Sequence, residues 1–256
     1  MNKKAIFFNL LWVLGTLTIT ASEQPKTEFE KFAEMFAPPA DVRRTIESSS
    51  EWPHFGPIKG QKDSPDLYAK GDQIERPYNA LLIRKVLNAL QLDRLDMADK
   101  YVYQHNDKWG VAAVAIEQDT SSAAKYLSYE EVTQIIRFTE TMCYMDFRWG
   151  ANVFRDKKTG KITIVDTDNR GFGGRFKGSG KQSQENCVSH IRSYLLDDND
   201  MDADSKALLR KRAQQLSQSK AGTKKRDFLR EVGQKYNDTG IDFQDVKEEF
   251  FRKTMK

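Results

Sequence analysis

The fold of this chain is decided by a stretch in its middle, Tyr144-Met145-Asp146-Phe147-Arg148-Trp149-Gly150-Ala151-Asn152-Val153-Phe154, which a polar turn separates from Ile162-Thr163-Ile164-Val165-Asp166-Thr167-Asp168. The two short apolar runs, with Gly160 in the turn where positive φ is easiest, predict a β-hairpin. Asp146 and Asn152 come before its first strand, and Asp166 ends the second. We therefore expect a carboxylate, an amide and a second carboxylate to lie around this hairpin.

A helix is predicted directly before this loop. Ser128 and Glu131 stand three residues apart, the sequence pattern of a capping box. The stripe that follows at helical spacing comprises Val132, Ile135, Ile136, Thr139 and Met142. The sequence therefore predicts a capped helix that leads straight into the loop carrying Asp146.

The region before residue 128 combines strands with one strong helix. The strand-like runs are Leu67–Lys70, Lys100–Gln104 and Trp109–Ile116, the last two separated by hairpin-turn residues. Pro77 stands near the start of a helix, and the apolar positions of that helix are Leu81, Leu82, Val86, Leu87 and Leu90. The polar segment Gln118–Ala124 is predicted to be a hinge.

The two ends of the chain are predicted to differ in regularity. Residues 23–66 are expected to be irregular, apart from a short amphipathic helix over Glu28–Phe36 and a helical turn from Asp41 to Ile46. Helical patterns dominate the C-terminal part, over Cys187–Leu196, Ser205–Leu216, Phe228–Tyr236 and Phe243–Phe251. The length of 256 residues suffices for one two-lobed domain or for two small ones.

The N-terminus has the pattern of an export signal. Lys3 and Lys4 form a basic region, Ala5–Ile19 is mostly apolar, and the small residues at 20–22 offer a cleavage site. The alternative is an uncleaved membrane anchor, although the apolar run falls short of the ~20 residues that a span needs. We expect a signal peptide over residues 1–22 and a periplasmic or secreted protein without a stable membrane span after its removal.

Composition limits the classes of partner and site. The formal net charge is only +4, which gives no support for a nucleic-acid-binding surface. Three scattered histidines make a histidine-based metal site improbable. Cys143 and Cys187 could form one disulfide in an oxidising compartment or remain two buried thiols, and the sequence leaves both open.

The order of these elements resembles the protein-kinase-like superfamily. In that family a helix leads to the loop H-R-D-x-x-x-x-N, and a hairpin then leads to the Asp of D-F-G. The resemblance spans residues 65–255, with its specific motifs confined to residues 144–168. It implies an α/β fold of the α+β kind with two lobes: a reduced, β-containing N-lobe at residues 67–118 and a helical C-lobe at residues 119–256.

The resemblance also implies roles for four residues. By position, Asp146 matches the catalytic base, and Asn152 and Asp166 match the ligands of Mg²⁺ or Mn²⁺. Lys70, on the strand before the strong helix, is the candidate that contacts the phosphates of ATP. The implied function is an exported kinase-like protein that binds a nucleotide with a divalent metal and transfers phosphate to an unknown protein or small-molecule acceptor.

The chain also differs from the family pattern. Tyr144 stands where the family has His, one extra residue separates Asp146 from Asn152, and Asp166-Thr167-Asp168 replaces Asp-Phe-Gly. A glycine-rich phosphate loop is not recognisable. These differences leave open a catalytically inactive, pseudokinase-like protein that binds a partner. They also leave open an unrelated fold, in which the polar residues are ordinary turn and cap residues.

Overall fold

The structure, a computed structural model, describes residues 25–49, 55–105, 107–142, 144, 146–168, 172, 195–197, 199–218, 232–236 and 238–254. Several predictions fall outside these residues and are not tested by them: the signal peptide over residues 1–22, the pairing of Cys143 with Cys187, and most of the helix over Cys187–Leu196.

The chain is a mixed α+β protein, as predicted. Its named helices are α1 (Glu28–Met35), α2 (Ala40–Glu47), α3 (Glu75–Ala89), α4 (Tyr129–Met142), α5 (Ala203–Gln218) and α6 (Phe243–Thr254). Its strands are β1 (Gly56–Ile58), β2 (Leu67–Ala69), β3 (Leu95–Met97), β4 (Lys100–His105), β5 (Lys108–Val114), β6 (Tyr126–Leu127), β7 (Val153–Arg155), β8 (Ile162–Ile164) and β9 (Asp200–Met201). Among the described helices, none is long and apolar enough to span a membrane.

The first sheet is antiparallel and has the strand order β1-β2-β5-β4. β1 lies within residues 23–66, so the prediction that this segment is irregular was wrong at Gly56–Ile58. The sequence Gly-Pro-Ile has the composition of a loop, and it becomes a strand only because β2 offers it an edge. The two helices predicted in the same segment are present as α1 and α2.

The second sheet is small and carries the predicted hairpin. β7 and β8 pair in antiparallel fashion, with Val153 opposite Ile164, which confirms the hairpin. β3 joins the other edge of β8 in parallel, with Met97 opposite Ile164. Sequence reasoning missed β3, because a three-residue run gives little pattern and its partner is far along the chain. A further two-stranded sheet pairs β6 with β9.

The helix before the loop begins as its sequence predicted. The Ser128 hydroxyl accepts a hydrogen bond from the Glu131 amide at 3.3 Å, and the Glu131 carboxylate accepts one from the Ser128 amide at 2.9 Å. This reciprocal capping box satisfies two amides that a helix start leaves without partners. The side chains of α4 that it holds against the largest apolar core include Val132, Ile135, Phe138 and Met142.

A second apolar core brings the two ends of the chain together. Phe29 of α1 is fully buried, with its ring centroid 4.9 Å from that of Trp109 and 5.8 Å from that of Phe250 in α6. The sequence assigned α6 to the C-terminal part, yet it packs on α1 and the first sheet. The apolar face of α6 needs a partner, and the buried phenylalanines of α1 provide one.

We predict that Phe29→Ala lowers the free energy of unfolding by about 3–5 kcal/mol, because it leaves a cavity between α1, α6 and the sheet. Met35→Ala at the end of the same helix is the matched control, since this side chain is 43% exposed, and it should change stability by no more than about 0.5 kcal/mol. Urea unfolding measures both. Equal effects of the two changes would contradict this packing of the chain ends.

Candidate functional site

The loop between α4 and β7 holds Asp146 and Asn152 side by side. The Asn152 side-chain amide donates to the backbone oxygen of Asp146 at 3.3 Å, and Arg148 donates its Nε to Asp146 Oδ1 at 2.9 Å. The loop closes through backbone hydrogen bonds to the oxygen of Arg148 and through Gly150, whose φ is +76°. Asp146 is therefore buried, at 3% exposure, beneath an arginine of its own loop.

The end of β8 lies against this loop. The Tyr144 hydroxyl donates to the backbone oxygen of Asp166 at 2.8 Å, and the Val165 amide donates to the backbone oxygen of Asn152 at 2.9 Å. Tyr144, which stands where the family has His, thus ties the start of the loop to the strand end. The structure brings together Asp146, Asn152 and Asp166, the three residues of the loop and hairpin that the sequence singled out.

Arg76, in the first turn of α3, forms ion pairs with the residues that follow β8. Its guanidinium, only 2% exposed, donates Nη1 to Asp166 Oδ1, and its Nη2 lies 3.5 Å from Asp168 Oδ2. Thr167, between the two acids, donates its hydroxyl to the backbone oxygen of Arg76 at 3.0 Å and accepts from the Asn79 amide at 2.7 Å. We call these five residues, from Arg76 to Asp168, the α3 clamp.

The clamp keeps Asp166 ionised. Burial alone would raise the pKa of this carboxyl group. The charge and hydrogen bond of Arg76, together with a hydrogen bond from the Asp168 backbone amide at 3.1 Å, instead hold its pKa below the ordinary value. The charge of Lys70 adds to this effect. An aspartate at this position is therefore a carboxylate at neutral pH.

Lys70 lies within electrostatic reach of the clamp but is not paired to it. Its backbone amide donates a hydrogen bond to the backbone oxygen of Val111 at 2.7 Å, and its side-chain nitrogen lies 4.5 Å from the Tyr68 ring centroid. The pKa of Lys70 is lowered to about 8, first by burial and then by the nearby charge of Arg76, while Asp166 and Asp168 act in the opposite direction. Among the described residues it makes no ion pair.

Sequence reasoning missed Arg76, Asn79 and Asp168. No residue of α3 was predicted to join the site, whereas Arg76 at the start of this helix makes the contact to it. One feature could have revealed it. Arg76 and Asn79 stand three residues apart and continue through Ile83 on the buried face of α3. Polar residues on the apolar face of a helix need buried partners, and carboxylates are the natural ones for an arginine.

Two oxygen atoms of this site fit a hard cation. Both hydrogen bonds that described residues donate to the Asp166 carboxylate end on Oδ1, which leaves Oδ2. The Asn152 side chain donates through its amide nitrogen, and no described residue donates to its Oδ1. Carboxylate and amide oxygens suit Mg²⁺, which keeps several waters. No cluster of three or more acidic, histidine or cysteine side chains accompanies them within the described ranges.

We predict that Arg76→Met lowers the free energy of unfolding by about 3–5 kcal/mol at pH 7, because it removes the buried arginine that pairs with the partly buried Asp166. In the wild type, the lowered pKa of Asp166 stabilises the fold at neutral pH, and this contribution is lost as the pH falls through that pKa. In the variant, the Asp166 carboxylate has lost this arginine and takes up a proton more readily as the pH falls. The stability difference should therefore narrow as the pH falls from 7 towards 4, in denaturant unfolding at each pH.

Arg84→Met in the same helix is the matched control. The ion pair of Arg84 with Asp99 is 44% and 49% exposed, so its loss should change stability by less than about 1 kcal/mol. If Arg76→Met lost no more stability than Arg84→Met, or if its loss of stability did not depend on pH, the proposed role of the α3 clamp would be wrong.

Comparison with protein-family models, with curated proteins and with solved structures found no match for this chain.

Proposed function

We propose that this chain is an exported kinase-like protein that binds ATP with Mg²⁺ or Mn²⁺ and transfers phosphate to a protein or small-molecule acceptor. The observation that carries the proposal is the meeting of the Asp146 loop with the end of β8 through Tyr144 and Val165, with the ammonium of Lys70 nearby. In this proposal the first sheet belongs to an N-lobe, the helices after residue 119 to a C-lobe, and the nucleotide lies between them beside the α3 clamp.

Each residue has one role in the proposed reaction. Asn152 and Asp166 hold the metal through the two oxygens described above, and Lys70 contacts the phosphates. The cation, when bound, neutralises negative charge on the phosphate oxygens. Asp146 orients the acceptor hydroxyl and receives its proton. Because Arg148 covers Asp146 at 2.9 Å and is itself 39% exposed, we expect Arg148 to turn outward when an acceptor binds.

Arg76 sets the condition under which the metal binds. Its guanidinium already pairs with Asp166 Oδ1. A metal ion on Asp166 Oδ2 would therefore share this carboxylate with an arginine. Like charges repel at this distance. The bound phosphates supply the negative charge that offsets this repulsion, so metal and nucleotide are expected to bind together rather than singly.

A second function is favoured by the same ion pair. Arg76 supplies at Asp166 the positive charge that a metal supplies in an active kinase-like site, and Arg148 covers Asp146. A pseudokinase-like protein would keep the scaffold in this closed form and bind a partner through its surface. The two functions differ in whether a nucleotide with a metal binds at Asp166.

We predict that ATP with Mg²⁺ or Mn²⁺ raises the thermal stability of the protein, by about 2.7 kcal/mol at 100 times Kd. Asp166→Ala should abolish the rise, each protein being compared with its own ligand-free state. Glu34→Ala is the control, because this exposed acid of α1 pairs with Lys26 and has no contact with the site residues. Asp146→Asn should keep the rise and lose phosphate transfer.

A rise that persists in Asp166→Ala would contradict the proposed metal site. No rise at millimolar nucleotide would select the pseudokinase-like function, for which capture of a partner should be unaffected by Asp146→Asn.

A further inference from the structure

We propose that Lys100 is a second phosphate-binding residue, which with Lys70 forms a site for a polyphosphate group that binds without a metal ion. The proposal deepens the nucleotide-binding function above and rests on it for the identity of the ligand. Nothing in the sequence pattern distinguishes Lys100, which is one of many lysines and begins β4.

The register of the first sheet places the two lysines on one face. Lys100 of β4 stands opposite Ala113 of β5, which stands opposite Tyr68 of β2. Residues directly opposite in antiparallel strands share a face, and so do residues two apart in one strand. Lys70 follows Tyr68 by two positions, and its ammonium lies over the Tyr68 ring. Only the methyl group of Ala113 separates Lys100 from Tyr68 along this row.

Lys100 is buried without a strong partner. It is 4% exposed, and in the described part of the chain its ammonium has a single contact, the Met97 sulfur at 3.6 Å. A thioether is a weak acceptor. Burying an amino group without a good acceptor is unfavourable, and it is more so when the group is charged and has no carboxylate partner. An apolar residue at this position would fold better, so the amine is best explained by a ligand that it contacts.

The charges around Lys100 favour an anion. The described groups whose charges act on it are Lys70, Arg76, Arg84 and Asp166, three cations and one carboxylate. Asp166 is already engaged by Arg76, and Arg84 pairs with Asp99. Arg76 and Lys70 together balance Asp166 and Asp168, so a protonated Lys100 has no counter-ion among the described residues. A phosphate group beside Lys100 and Lys70 would restore the balance and supply the oxygen acceptors that both ammonium groups lack.

Proton uptake would accompany this binding. Burial, followed by the charges of Lys70 and Arg76, lowers the pKa of Lys100 well below its ordinary value. A bound phosphate favours the charged amine and raises that pKa again. The lysine therefore takes up a proton as the anion enters, which a purely structural lysine would not do.

The test is calorimetric titration of the protein with inorganic tripolyphosphate in the presence of EDTA, in buffers of different ionisation enthalpy. Wild type should bind with proton uptake, and Lys100→Met should bind at least tenfold more weakly with less uptake. Lys108→Met, an exposed position in the neighbouring strand, should bind like wild type. Ligand-free Lys100→Met should unfold at the same denaturant concentration as wild type or at a higher one.

Absence of tripolyphosphate binding by wild type, or equal binding by Lys100→Met, would overturn the proposal. Lys100→Gln gives the same comparison if the methionine variant does not fold. A titration with ATP and Mg²⁺ separates this proposal from the proposed function. If wild type and Lys100→Met bound ATP with Mg²⁺ equally well, the role of Lys100 would be rejected and the nucleotide site would stand. If wild type bound tripolyphosphate but not ATP, the anion site would stand and the nucleotide-binding function would be rejected.

Discussion

The buried ion pairs of Arg76 are the interaction on which the rest of the site depends. They join α3 to the end of β8, and Thr167 and Asn79 add hydrogen bonds that fix the same contact. Breaking one partner of such a buried pair leaves an uncompensated charge, so the elements that carry the partners stay together. Because β8 in turn pairs with β7 and meets the Asp146 loop, the position of α3 determines how the loop, the hairpin and Lys70 face one another.

This arrangement gives the site an unusual balance of charge. One arginine lies within ion-pair distance of both carboxylates, and Lys70 and Lys100 make no ion pair among the described residues. A site that holds two lysines without ion pairs is suited to an anion more than to a free divalent cation. The same distribution of charge links the two proposals. The phosphates pair with the two lysines. The metal binds together with the phosphates because Arg76 already occupies one oxygen of Asp166.

Local features of the sequence predicted local structure well. The Ser128 and Glu131 capping box, the β7–β8 hairpin and the apolar stripe of α4 each depend on residues within one element or turn, and all are present. The nearness of Asp146, Asn152 and Asp166 also followed, since one hairpin carries the last two. The missing parts join distant segments. Pairing of β3 with β8, packing of α6 on α1, and the contact of Arg76 with Asp166 each depend on partners that sequence spacing does not identify.

The most direct test of this account is diffraction from crystals of the protein grown with Mn²⁺ and a non-hydrolysable ATP analogue. The account predicts an anomalous peak that places Mn²⁺ against Asp166 Oδ2 and Asn152 Oδ1, with the phosphates beside Lys70. A nucleotide bound elsewhere, or crystals in which Asp166 contacts Arg76 alone at saturating nucleotide and metal, would contradict it.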